Sequence, residues 1–589
     1  MSNLIEQASS QLRELISKAA AGLSEKGQLP EVPVPDFAVE IPADKSHGDF
    51  AANIAMVGAR SYRMAPVKIA ELILSEISLE GTLFERAEKA GPGFMNFFLG
   101  RKWFSDVIRA VNSEKEDYGK TDTGKGKKVL VEFVSANPTG PMHIGNARGG
   151  AIGDCLASVL QWAGYYTERE FYVNDAGNQI EKFGKSLSLR YLQLASAAGT
   201  DVREKLGNDT EKVCSALYEQ SGEGMTFEMP EDVYLGTDII EHAKNYLDEF
   251  GTGLAGASDE ERKKALVDYA LPKNIAGLER DLKKYRIVYD NWYRESKLHE
   301  SGETMRIVDK LKETGHTYEK EGAVWFRATD FGVDKDFVLV RANGVPTYVV
   351  PDIAYHYDKL VTRGFDKAIN VLGADHHGYV PRLKSALTAL GVDAGKLDAV
   401  LMQMVRLIRN GEVTKLSKRS GKAITLVTLL EEIPIDAARF FFNMREADSQ
   451  FEFDLDLAVE QSSKNPVYYV QYAHARICSL ISNLRAEGTE IPETADLDLL
   501  VSPQETELIR HIASLPAEID LAARNYNPAG ITKYAIALAT LFHKFYDACS
   551  VKNAETPELM NARIMLCLAV RQTLRNVLDI LKIECPEKM

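Results

Sequence analysis

Two short stretches carry polar groups suited to phosphate chemistry. The first is Met142-His143-Ile144-Gly145-Asn146, where an imidazole and a carboxamide can both donate to phosphate oxygens. The second is Lys415-Leu416-Ser417-Lys418-Arg419. Its two ammonium groups can meet negative charge as it develops on a phosphate during transfer. A third set joins Glu132, Tyr348 and Asp352. Two carboxylates and a phenol ring suit a guanidinium, whose planar fork pairs with carboxylates and stacks on rings. Each set also has a plain structural reading. Asn146 fits a helix cap and His143 a solvated loop. The lysine loop fits a solvated turn, Glu132 an ion pair with a neighbouring arginine, and Asp352 first-turn helix stabilisation.

These residues need elements to hold them. Val129 to Val134 is apolar except for Glu132, as expected of a buried parallel strand. The breaker-rich turn Ser135 to Pro141 follows, then a small-residue helix carrying Ala147, Gly149, Gly150, Ala151 and Gly153. In such a strand–turn–helix unit the first helical N–H groups face the carboxyl edge of the sheet, where an anionic phosphate can sit. Gly145 lets a flat ring or ribose approach the backbone, and Gly149 and Gly150 are expected to let the helix pack close to the sheet. Further strands are expected at Thr167 to Val173, Thr347 to Val350, Ala368 to Gly373 and Leu401 to Ile408. Pro351-Asp352 is read as opening a helix, and Tyr289, Trp292 and Glu295 as sharing one helical face, most simply a packed one, with a specific contact as the alternative.

The 589 residues are enough for three or four domains. The expected fold is α/β: a Rossmann-like catalytic domain over residues 125–428, with a helical insertion at about 185–320. An α+β domain over residues 1–112 precedes it, and an all-α helical bundle over residues 429–589 follows. In the N-terminal part, His47 and Asp49 are read as capping residues. The hydrophobic fraction of 45% and charged fraction of 26% are ordinary for a globular protein. No apolar run suggests a membrane span or a signal-peptide core. Six scattered cysteines without a CxxC pair point to reduced thiols in the cytoplasm and away from a zinc site. The net charge of −15 does not advertise nucleic-acid binding. Residues 461–589 are nearly balanced, with 13 Lys+Arg against 15 Asp+Glu, so RNA would have to use local basic patches there.

The stretch Val129 to Asp154 resembles the HIGH signature of class I aminoacyl-tRNA synthetases. It is closer still to the SANPTGPxHxGHxRG run of the arginyl-tRNA synthetases. Asn146 stands where that run has its second histidine, which keeps a hydrogen-bond donor but not a charge. Lys415 to Gly421 resembles the KMSKS loop of the same class, 272 residues after His143. The resemblance covers nearly the whole chain with its motifs in order.

The resemblance implies an arginine–tRNA ligase. Arginine and ATP would give arginyl-adenylate and pyrophosphate, and the 3′-terminal ribose of tRNA(Arg) would then take the arginyl group. ATP would be a substrate bringing Mg²⁺ on its phosphates, and the partners would be tRNA(Arg), ATP and L-arginine, with no membrane. A cytoplasmic monomer is expected. His143, Asn146, Lys415 and Lys418 match catalytic positions. Gly145 belongs with them at the nucleotide, and Gly373 and Asp375 match the ribose-binding turn. Glu132, Ser135, Asn137, Tyr348 and Asp352 match the arginine site, with His376 beside them. In the C-terminal helices, Arg563, Arg571 and Arg575 on one broad face, with Tyr468 and Tyr472, are the candidate tRNA contacts. Bundle core is the alternative for at least one of the tyrosines.

Overall fold

The computed structural model describes residues 3–196, 200, 204, 230, 232–414 and 424–589. They form two compact units, one of residues 124–459 with 526–528 and one of residues 1–123, 460–525 and 529–589.

The first unit is built on a five-stranded, wholly parallel sheet. From one edge to the other its strands are Leu397–Met402, Lys367–Gly373, Lys128–Glu132, Tyr166–Val173 and Asn291–Arg294. The first strand in the chain therefore lies at the centre, and the chain order reverses between it and Lys367–Gly373. In open α/β sheets the crevice outside the carboxyl ends at such a reversal is where ligands bind. The register places Glu132 beside Asn370 on one side and Glu170 on the other. Partners in register point to the same face, so two acids and an amide line up there.

Several expected elements differ. Asn291–Arg294 is an edge strand of the sheet, not part of a helix. Trp292 stacks on Phe171 at 4.3 Å, and the Tyr289 hydroxyl donates to Phe133 O at 3.0 Å. Tyr289 is buried in the core and Trp292 is half-buried on the edge strand, while Glu295 opens the following short helix Glu295–Glu300. Thr347 to Val350 is not a strand: helix Val349–Tyr357 begins there, with Tyr348 as its N-cap. Two β-branched valines suggest a strand, yet Pro351 needs no N–H partner in a first helical turn. Leu401 to Ile408 is broken into Leu397–Met402 and Val405–Arg409. The chain beyond Leu429 is not wholly helical either. Phe451–Asp454 is a strand that pairs in parallel with Val405–Arg409.

The helical insertion has its own core, including Phe183, Leu187, Tyr191, Ile239, Ile240 and Leu266. It touches the signature turn directly, for Asn274 Nδ2 donates to Pro138 O at 2.9 Å.

In the second unit, a four-stranded antiparallel sheet and helices Leu4–Glu25, Pro66–Glu76 and Arg101–Glu114 form the N-terminal part. Helices Pro466–Ala486, Pro503–Ala513, Leu515–Arg524, Ala529–Ala548 and Pro557–Ile580 form the rest. The two parts join into one body. Asp49 is an anchor here instead of a cap: its Oδ2 accepts from Leu99 N at 2.9 Å and its Oδ1 accepts from Arg510 Nε at 2.5 Å. His47 is exposed. No helix among the described residues is long and apolar enough to cross a membrane.

Candidate active site

The carboxyl end of the central strand turns sharply. Val134 and Ser135 both have positive φ, 67° and 40°, and Ser135 N–H donates to Phe133 O at 2.9 Å. A β-branched residue in that region is strained, at a cost of about 1–3 kcal/mol. Two side-chain bonds brace the turn: Ser135 Oγ donates to Glu132 Oε1 at 2.9 Å and accepts from Tyr172 N–H at 3.1 Å. Asn137, further along, is exposed.

The turn leads to helix Ile144–Trp162, with His143 as its N-cap. Asn146 Oδ1 accepts from the His143 backbone N–H at 3.1 Å, so the amide oxygen does take a capping role. Its Nδ2 makes no hydrogen bond among the described residues, and the exposed His143 lies beside it. Close packing of this helix rests chiefly on Gly153, where a Cβ would lie 2.2 Å from Phe133 Cγ. Gly150 is also tight, against Ile287 and Val134, whereas a Cβ on Gly149 would meet Met402 only at an ordinary 3.5 Å. Arg148, absent from the sequence-derived set, is fully buried. Its guanidinium donates to Gln403 O at 2.7 Å and Glu446 O at 3.0 Å, tying the helix start to the strands that follow the sheet. Lys415 and Lys418 lie outside the described residues. The chain just after their loop is fixed, for Thr425 bridges His143 and Leu426 N–H donates to Met142 O at 2.8 Å.

Across the reversal, strand Lys367–Gly373 ends in a short 3-10 turn, Ala374–Gly378. A Cβ on Gly373 would lie 2.4 Å from Asp375 Oδ1, so a larger residue there would push this carboxylate aside. The Asp375 carboxylate is 84% exposed, with His376 Nε2 3.9 Å away. It is open to accept from a sugar hydroxyl.

Beside this crevice lies an acidic cluster with few local cations. Asp352, partly buried on the first turn of helix Val349–Tyr357, accepts a short hydrogen bond from the Tyr379 hydroxyl. Burial pushes its carboxyl up to about 6. The Tyr379 bond and Lys359 oppose the rise, while Glu132 and Glu295 add to it. Glu295 accepts from the Tyr172 hydroxyl at 2.8 Å, and its side chain is 12% exposed. Tyr348 is 72% exposed, its ring 6.1 Å from that of Tyr379. Glu132 is buried and pairs with Lys359, not with an arginine, at 2.6 Å. Burial alone would raise its carboxyl, but the Lys359 charge and the Lys359 and Ser135 hydrogen bonds hold it below the ordinary range.

The structure thus brings together Glu132, Ser135 and Asp352. It adds Tyr172, Glu295, Lys359 and Tyr379, which sequence reading did not assign to a site. Only Glu295 carried a signal, an acid directly after an aromatic-rich strand.

The C-terminal candidates divide. Tyr468 and Tyr472 lie one helical turn apart with rings parallel within 5° and centroids 6.4 Å apart, and Tyr472 is 41% exposed. Tyr472 also stacks on His543 at 5.8 Å. Arg575 is exposed and Arg571 half-buried. Arg563 does not share their open face. It is buried, donating from Nε to Glu505 Oε1 and from a terminal nitrogen to Ser550 O, both at 2.8 Å.

Family comparisons agree with this geometry. Residues 10–99 match the arginyl tRNA synthetase N-terminal domain. Residues 107–481 match the catalytic domain of class I (R) tRNA synthetases, and residues 470–589 match the DALR anticodon binding domain. The chain is 49% identical to the arginine–tRNA ligase of Acetivibrio thermocellus and 51% identical to that of Caldanaerobacter subterraneus subsp. tengcongensis. Both matches cover 100% of each chain. The fold resembles that of Thermus thermophilus arginyl-tRNA synthetase, with a TM-score of 0.71 at 22% identity over 99% of this chain and 100% of that one. A crevice at the sheet reversal, a class I signature at the start of the helix that borders it and full-length relatives of one kind converge: the chain belongs to the arginyl-tRNA synthetases, enzymes that join arginine to tRNA using ATP.

Proposed function

We propose that the acidic cluster at the sheet reversal is the arginine site of this ligase, with Asp352 as the main acceptor for the guanidinium. The observation that carries this reading is the Asp352 carboxylate itself, held by Tyr379 and pushed up to about 6 by burial, with Glu132 and Glu295 adding to the rise. Such a site gains most from a cation that brings its own donors, and a guanidinium offers five. Glu295 supplies the second carboxylate, Glu132 acts from behind Ser135, and Tyr348 closes over the ligand. Asn137 and His376 serve the amino-acid head group.

The arginine carboxylate then attacks the α-phosphate of ATP and pyrophosphate leaves. His143 and Asn146 donate to the α-phosphate, with Gly145 giving the nucleotide room. Gly373 and Asp375 receive the ribose. Lys418, helped by Lys415, meets the charge that develops on the leaving group. Mg²⁺ enters on the ATP phosphates. Its ligands are proposed to come mainly from the phosphates and water, as is usual for this ion. In the second step the terminal ribose of tRNA attacks the adenylate carbonyl and AMP departs.

Tyr468, Tyr472, Arg571 and Arg575 are proposed to contact the tRNA, by stacking and by phosphate contacts. Residues 1–112, 125–428 and 429–589 are proposed as the working domains of a cytoplasmic monomer. Charging assays with arginine, lysine and citrulline test the reading. Arginine alone should be accepted, because lysine cannot fill two spaced acceptors and citrulline leaves buried charge unpaired. Comparable charging with lysine would contradict it.

A further inference from the structure

Lys359 Nζ is fully buried, 2.6 Å from Glu132 Oε2, 3.5 Å from Asn370 Oδ1 and 3.8 Å from the centroid of the Tyr355 ring. It stands on a π-helical turn, Asp358–Thr362, that directly continues the helix carrying Asp352. Such turns are rare and recur at functional sites. From Lys359 a line of hydrogen bonds runs in two directions. On one side Asn370 Nδ2 donates to His356 Nε2 at 2.7 Å, and His356 Nδ1 donates to Asp352 O at 2.8 Å. An imidazole that accepts at one nitrogen and donates at the other is neutral. Burial, aided by Lys359, pushes its pKa down to about 3. On the other side Glu132 accepts from Ser135, which accepts from Tyr172 N–H.

The register explains why a cation is needed here. Glu132 and Glu170 are neighbours on adjacent parallel strands, and both are buried. Glu170 has its own partners, Arg363 at 2.6 Å and the Tyr355 hydroxyl at 2.6 Å. Lys359 is the cation on Glu132. Burying an ion pair is costly, and an apolar pair would often serve stability as well. The pair therefore points to a role beyond packing.

We propose that Lys359 is a positioning residue for amino-acid selection. It fixes Glu132 as an ionised carboxylate behind Ser135 and leaves Asp352 and Glu295 as the charges that a guanidinium meets. The inference rests on the reading of the Asp352 cluster as the arginine site. Without Lys359, Glu132 is a buried acid with no counter-charge. It must protonate or turn away, and either change releases the Ser135 hydroxyl and the strained turn that frames the site.

The test compares Lys359→Met, Glu132→Gln and the double variant with the native enzyme in tRNA charging, reading arginine KM and ATP KM separately. Lys359→Met should raise arginine KM on the order of 10- to 100-fold, the cost of a site displaced by about an ångström, and leave ATP KM unchanged. The double variant should bind arginine better than Glu132→Gln alone, because that single variant strands the Lys359 ammonium. This second comparison decides the matter even where Lys359→Met does not fold. A folded Lys359→Met with native arginine KM, or a double variant worse than Glu132→Gln, would overturn the proposal. Asp352→Asn, measured alongside, separates the two readings. Native arginine KM in that variant defeats the site itself, whereas loss there with native KM in Lys359→Met defeats only the role of Lys359.

Discussion

His143 and Thr425 form an isolated antiparallel bridge, so the segment that follows the lysine loop is attached to the first residue of the signature helix. Leu426 N–H adds a hydrogen bond to Met142 O at 2.8 Å, so the chain is tied to the start of the signature helix at two neighbouring residues. Lys418→Ala should lower the rate of arginyl-adenylate formation on the order of 10²–10³-fold, the usual worth of one donor aimed at developing charge. Arginine KM should hardly change. ATP–pyrophosphate exchange with tRNA present measures the first quantity, and an unchanged exchange rate would remove Lys418 from the chemistry.

A pH dependence follows from Asp352. Burial raises its carboxyl to about 6, and the ionised form is the one that pairs with a guanidinium. Arginine affinity should therefore be full above that value and fall as pH drops through it, by about tenfold per unit once the acid is protonated. Lys359, Glu132 and Glu295 also face Asp352, and His356 stays neutral throughout, its pKa lying near 3. For folding of the empty enzyme the sign is opposite. A raised carboxyl costs stability where it is ionised, so this group's penalty fades as pH falls through about 6. Arginine KM measured from about pH 5 to 8 checks the first statement, and a flat profile would refute it.

Gly153→Ala tests the packing beneath the site. Helix propensity favours alanine by about 1 kcal/mol. The new Cβ would lie 2.4 Å from Phe133 Cβ and 2.2 Å from its Cγ, atoms at the root of a buried ring that cannot swing aside. Overpacking typically costs about 1–3 kcal/mol, and contacts this short belong at the upper end, so a net loss of up to about 2 kcal/mol is expected in urea unfolding. A variant as stable as the native enzyme would show that the helix can lift from the sheet at no cost.

The C-terminal candidates predict contrasting phenotypes. Tyr472→Ala should weaken tRNA binding by about 1–3 kcal/mol, the worth of one base stacked on an aromatic ring, with little effect on melting. Arg563→Ala should lower the melting temperature instead, because it strands the buried Glu505 carboxylate. Filter binding and thermal melts separate the two, and the reverse pattern would overturn both assignments.

Much of the site was legible because its elements carry local signals. The apolar run before Ser135, the breakers through Pro141 and the glycines after Asn146 specify strand, turn and helix with little outside help. Apart from Glu295, the residues that complete the acidic cluster had no such signal. Lys359 reaches Glu132 across 227 residues and Tyr172 reaches Glu295 across 123, and only the register of the parallel sheet brings them together. Thr347 to Val350 read as a strand because valines favour one, and packing of helix Val349–Tyr357 overrode that preference. Arg563 shares a helical face with Arg571 on spacing alone, but spacing does not reveal which part of that face is covered.

The central claim is that the Asp352 carboxylate recognises arginine by charge. Asp352→Asn keeps the size of the side chain and caps a helix about as well, but it removes the charge. Arginine KM in tRNA charging should rise by the equivalent of roughly 1.5–3 kcal/mol, the worth of a hydrogen bond to a charged group, while ATP KM stays at the native value. A folded Asp352→Asn enzyme with native arginine KM would show Asp352 to be a helix cap and contradict the account.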